Sequence, residues 1–151
     1  MAGGLSRRER RQMLKEKIEK AYGLVKSMGH REIVGELVDL ELGVRGISIL
    51  DTSEEMGFEK TGLVKGQHVF AQADSLALAT ADAEVALTGL ANAKFKIPVK
   101  VGERLVAKAE VIRRKGNRSV VLVQTRAGAD TVFRGKFVVA SLAGGGGESE
   151  A

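Results

Sequence analysis

The chain has 151 residues, 44% hydrophobic and 28% charged, which suits one domain with a proper core and an attachment. It contains no Cys and no Trp, so disulfides, thiolate metal sites and Cys nucleophiles are excluded and the core must be mostly aliphatic residues and Ala; the two separated His support no metal site. The formal net charge is +5, and there is neither a signal peptide nor an apolar run of membrane-spanning length, so a cytoplasmic protein with no membrane contact is expected.

Met1 to Gly4 is expected to lack structure. Ser6 is placed to cap a helix, with Glu9 completing a capping box, and helix is predicted from there to about Met28. Leu14, Ile18, Tyr22 and Val25 make its apolar stripe. Between Leu5 and Lys20 seven basic residues face three acidic ones, a surplus of four out of the total of five. The basic character is therefore expected in this arm and not in the globular part. RRERR reads either as a solvated helix end or as a phosphate-contacting arm, in which Arg7, Arg8, Arg10 and Arg11 would add sequence-blind, salt-sensitive affinity for DNA.

Gly29 and His30 are expected to close the helix. Glu32 to Leu50 reads as strand, with Gly35, Gly43 and Gly46 marking bulges or turns, and Asp51 to Gly62 as a polar loop carrying Phe58. Lys65 to Ala81 (KGQHVFAQADSLALATA) then predicts a helix apolar nearly all round, which is normally a buried one. One acid, Asp74, stands in its middle. Such an acid must be exposed, hydrogen-bonded or functional, because an unpaired buried charge is costly. His68 reads as a packing residue, and Ser75 lacks the Gly-x-Ser-x-Gly context of a hydrolase nucleophile.

The rest reads as strands and tight turns. Glu84 to Ala93 is one extended segment; in Lys94 to Val101 the residues Phe95, Ile97, Val99 and Val101 are expected on one face. Arg104 to Arg113, Ser119 to Thr125 and Thr131 to Leu142 follow as an antiparallel meander. The tail AGGGGESEA reads as a flexible end. The sum is an α+β architecture, one curved sheet round one buried helix. Its open sheet edges favour a homodimer.

FKIPVKVGERLVAKAEVIRRKG resembles the strand signature of the hot-dog superfamily. EIVGELVDLELGVRGISILD and KGQHVFAQADSLALA are similar, more narrowly, to the FapR family, repressors of fatty-acid and phospholipid synthesis genes that respond to malonyl-CoA. LSRRERRQMLKEKIE resembles that family's opening helix. The resemblance implies a basic amino-terminal helix (1–28), an acyl-CoA-binding hot-dog domain (29–142) and a Gly-rich tail (143–151). It also implies that no cofactor is needed and that an acyl-CoA or acyl carrier protein thioester is the partner, with DNA contacted weakly. The implied ligand contacts are Phe58, Lys65, Gly66 and Asp74.

Three departures from the family pattern stand out. EKIEK runs straight into AYGLVKSM, which resembles the family's linker, so no helix-turn-helix is expected between them. The family's malonate-anchoring Arg falls on Lys65, a point charge without a bidentate fork. Its ligand-contacting Asn falls on Asp74. Hot-dog thioesterases of the phenylacetate type carry a catalytic acid at this helix position, and Lys65-Gly66 with Asp74 reproduces their spacing. The alternative is therefore an acyl-CoA thioesterase. In it a backbone N–H near Gly66 polarises the thioester carbonyl, and Asp74 serves as nucleophile or general base.

Overall fold

A computed structural model describes residues 4–26, 31–81 and 86–142, with 17–26 and 31–32 described by backbone alone. In chain order the elements are α1 (Arg7–Lys26), α2 (Arg31–Val34), β1 (Glu36–Glu41), β2 (Arg45–Asp51), a short 3-10 turn (Glu54–Met56), α3 (Gly66–Thr80), β3 (Ala86–Phe95), β4 (Arg104–Lys115), β5 (Arg118–Ala127) and β6 (Asp130–Ser141). The strands form one antiparallel sheet in the order β1-β2-β4-β5-β6-β3. α3 touches all six strands. Six strands span roughly 24 Å and a helix with its side chains about 10 Å, so the sheet has to curl round the helix. This is the hot-dog arrangement.

The inner face of the sheet explains how α3 gets so close. One register row reads Gly46, Ala109, Val123, Gly135 and Ala93 across β2, β4, β5, β6 and β3. A Cβ on Gly46 would lie 2.5 Å from Thr80 Oγ1, and one on Gly135 would lie 2.6 Å from the Phe137 ring and 2.9 Å from that of Phe133. Ala73, Ala77 and Ala79 of α3 are fully buried, as are Phe133 and Phe137. Gln72, also fully buried, donates to the Ser48 and Leu105 carbonyls at 3.3 and 3.2 Å, tying α3 to β2 and β4. At the far end of α3 the Thr80 carbonyl accepts from Gly43 N at 2.7 Å, and the Ala81 carbonyl accepts from the Arg114 guanidinium. Carbonyls that a helix terminus leaves open are thereby satisfied by the β1–β2 turn and by β4.

The capping box forms: Ser6 N donates to Glu9 Oε1 at 2.9 Å and Glu9 N to Ser6 Oγ at 3.1 Å. α1 then runs unbroken to Lys26 beside β1 and α3. Its expected stripe beyond Leu14, together with His30, 82–85 and the tail 143–151, lies outside the residues whose side chains are described.

Several expectations are revised. Residues 31–34 are a helical turn that buries Val34, so the strand begins only at Glu36. The stretch read as strand with bulges or turns is the hairpin β1–β2, and of the three glycines it is Gly43 that makes its turn, with a φ of 79° that suits glycine. Gly46 marks no turn; it sits inside β2 beneath Thr80. The meander holds for β4-β5-β6 only, because β3 pairs with β6 at the far edge. The chain must therefore cross from that edge to β4, beside β2, and residues 96–103 make the crossing along the 52–65 loop: Val64 N donates to Val99 O at 2.7 Å and Leu63 bridges Lys100. That crossing splits the expected apolar face, burying Val99 while leaving Phe95 and Ile97 exposed.

Candidate functional site

The sequence places Lys65 immediately before α3, and the structure makes it the N-cap, with φ −68°, ψ 137° and no side-chain capping bond. Its backbone is fixed by Lys65 N donating to Met56 O at 2.9 Å, which holds the 54–65 loop against the helix start. Phe58 N donates to Leu63 O at 2.9 Å within that loop. As a result the half-buried Lys65 ammonium stands 5.4 Å from the centroid of the exposed Phe58 ring. Lys65 makes no ion pair among the described residues. The first turn of α3 carries no acid, so the positive end of the helix dipole and the ammonium add without local neutralisation.

Gly66, the first residue of α3, is exposed, and a Cβ on it would meet the Phe95 ring at 3.2 Å. Phe95 continues inward through an edge-on contact with Phe133 (centroids 5.2 Å apart), which in turn meets Phe70 of α3 at 6.5 Å. Phe58, Lys65, Gly66 and Phe95 thus surround the helix start: a cation and free backbone donors beside an apolar wall.

Asp74 lies elsewhere. Eight residues past Gly66 it is about 12 Å farther along the helix axis. There it is half-buried against β3 and accepts the hydroxyl of Thr88. Gly89, the next residue, is the extra residue of a β-bulge facing Val139 and Val138, a device that re-aims neighbouring side chains. Burial pushes the Asp74 carboxyl above the ordinary range, opposed by the Thr88 hydrogen bond, which favours the charged form. The expected ligand set therefore splits within one chain: Phe58, Lys65 and Gly66 come together and Asp74 does not join them.

Arg7, Arg8, Arg10 and Arg11 are all exposed on the opening turns of α1. Thr88 as the partner of Asp74, and Phe95 as a wall of the helix start rather than only a strand-face residue, do not show in the sequence; both follow only from how β3 pairs and where it ends. The third omission is larger: the globular part carries its own basic face, which the arm-centred charge count concealed. The groove on the side of the sheet away from α3 is lined by six cations and a single carboxylate.

No protein-family model matches the chain. Among curated proteins it is 54% identical over 134 residues to the transcription factor FapR of Caldanaerobacter subterraneus subsp. tengcongensis, covering 89% of this chain and 67% of that one. It is 43% identical over 136 residues to the transcription factor FapR of Bacillus subtilis, covering 88% and 72%. Among solved structures, the uncharacterized protein PH1136 from Pyrococcus horikoshii superposes with a TM-score of 0.74 at 32% identity, over 78% of this chain and 90% of that one. The PaaI protein of the Escherichia coli phenylacetic acid degradation operon superposes with a TM-score of 0.70 over 84% and 96%; at 17% identity it shares the fold.

Proposed function

The chain belongs to the FapR family of transcription factors, and on that premise we propose that it represses fatty-acid and phospholipid synthesis genes, with malonyl-CoA as the effector of its hot-dog domain. The observation that carries the effector reading is Lys65: an ammonium without an ion pair among the described residues, at the acid-free start of α3, beside an apolar wall of Phe58 and Phe95. A malonyl group needs a cation for its free carboxylate and donors for its thioester carbonyl, and this corner supplies both. No other cofactor enters the proposal.

Asp74 belongs to the same acyl site only if a second chain completes it. β3, which carries Thr88, is an edge strand, with Leu90 64% exposed and Leu87 55% exposed, and such an edge is a ready template for pairing. We read the working form as a cytoplasmic homodimer paired along β3, so that Asp74 of one protomer faces a ligand held at the helix start of the other. DNA would be met by the α1 arm. α1 is unbroken from Arg7 to Lys26, so this segment offers no second helix to read bases, and contact by Arg7, Arg8, Arg10 and Arg11 would be sequence-blind and salt-sensitive.

The thioesterase alternative draws support from the setting of Asp74, half-buried beside β3 and hydrogen-bonded by Thr88, where burial pushes its carboxyl upward as suits a proton-transferring acid. Lys65→Gln separates the effector reading from a merely structural lysine. The variant should keep its melting temperature while losing about tenfold or more in affinity for malonyl-CoA, with acetyl-CoA unchanged. An unchanged malonyl-CoA affinity rejects the role given to Lys65.

A further inference from the structure

On the sheet face turned away from α3, strand register assembles cations that the sequence scatters. One row runs Lys94, Arg134, Gln124, Lys108 and Ile47 across β3, β6, β5, β4 and β2, each directly opposite the next. The neighbouring row runs Asn92, Lys136, Leu122, Glu110 and Arg45. Arg126, two residues along β5 from Gln124, adds a further cation, and the Gln124 amide oxygen accepts from that guanidinium at 3.1 and 3.2 Å. These residues line an open groove of about 940 Å³ with six cations and one carboxylate. The surplus of five equals the formal net charge of the entire chain.

The fold does not ask for this. Outward positions of a half-buried sheet need only be polar, and like charges directly opposite each other, as Lys94 and Arg134 are, oppose strand pairing. Among the described residues Lys94, Lys108, Arg134 and Lys136 form no ion pair, and the groove's one carboxylate, Glu110, lies two residues along β4 from Lys108 and opposite Arg45. A counter-charge from outside would remove the repulsion. No aromatic ring lines the groove. Single-stranded nucleic acid would call for stacking platforms, and a protein partner for aromatic anchors, so neither fits. What remains is a lattice of Lys and Arg with spacings of about 5 Å across strands and about 7 Å along them, suited to phosphates that are neutralised but not read.

We infer that this outer sheet face is a contact surface for the phosphate backbone of duplex DNA, additional to the α1 arm; the choice of polyanion rests on the family being one of transcription factors. Four of the six cations (Lys94, Lys108, Arg134 and Lys136) lie close enough together to meet the same duplex.

The test is titration of the full chain with a short mixed-sequence duplex over a range of salt, comparing the combined variant Lys94→Gln, Lys108→Gln, Arg134→Gln, Lys136→Gln with the charge-matched variant Lys60→Gln, Lys100→Gln, Lys115→Gln, Arg118→Gln. All eight side chains are exposed. The face variant should lose about three to four units of log–log salt slope and at least about 100-fold in affinity at low salt, and the matched control far less. Should the fourfold variant fail to fold, Lys108→Gln and Arg134→Gln singly should each lower the slope by about one. Face and control variants agreeing within about twofold, singles with the parent's slope, poly-glutamate binding as tightly as the duplex, or no duplex binding at low salt would each overturn the inference. A failure of the effector reading would appear instead in the malonyl-CoA titration, which involves none of these residues.

Discussion

Thr88 donates its hydroxyl to Asp74 Oδ1, joining the half-buried acid of the central helix to the edge strand of the sheet. The hydrogen bond favours the carboxylate while burial favours the acid, and burial wins. Thr88→Val removes the opposing effect and keeps the shape. The Asp74 pKa, followed by carboxyl-carbon NMR, should move further upward. A pKa that stays put would show that the two side chains do not interact in solution.

Asp74→Asn tests the sign of that balance. With its folded pKa above the unfolded value of about 3.9, the native chain holds a proton that the unfolded chain has already lost. Stability should therefore decline as pH rises from about 4 through the folded pKa, then level off. The Asn variant, still able to accept from Thr88, should lack that decline and melt at neutral pH at the parent temperature or a few degrees above it. Thiol release from a panel of acyl-CoAs should be equally slow for both chains. Turnover by the parent that disappears in the variant would establish the thioesterase reading instead.

Gly66→Ala separates space from fold. The added methyl meets Phe95, but that ring is 56% exposed and has room to swing aside. Ala at the first helical position also reduces the freedom of the unfolded chain. The melting temperature should change by no more than about 2 °C, while malonyl-CoA affinity falls about tenfold or more because a ligand can no longer approach the helix start. A stability loss equal to the binding loss would mean that Gly66 serves the turn alone.

Gly135→Ala addresses the core. Its methyl would fall against Phe133 and Phe137, both fully buried and without room to yield. Overpacking of this kind should cost about 2–3 kcal/mol and lower the urea midpoint by about 1–2 M. An unchanged midpoint would show that the sheet is looser than the packing of these rings indicates.

What could be read from the sequence was local or periodic. The run from Lys65 to Ala81 has helical spacing and almost no breaker, so α3 emerged within a residue of its observed ends, and Ser6 with Glu9 announced the cap of α1. β4, β5 and β6 alternate and are joined by short turns, which makes neighbours of them. Pairing between distant strands leaves no such trace. Nothing local places β3 beside β6, and with that pairing unknown Thr88 cannot be assigned to Asp74, nor Phe95 to Gly66. Charge behaved the same way. Counting assigned the surplus to the arm, yet Lys94, Lys108, Arg134 and Lys136 come from three separate strands, and only register gathers them on one face with Glu110 as the single acid of the groove.

The central claim is that the helix start recognises a free carboxylate on a thioester-linked acyl group. Calorimetric titration of the unmodified chain with malonyl-CoA and with acetyl-CoA tests it most directly, since the two ligands differ only in that carboxylate. A charge-assisted contact with Lys65 should make malonyl-CoA bind at least about tenfold more tightly, or about 1.4 kcal/mol. Equal affinity for the two, or no binding of malonyl-CoA, would contradict it.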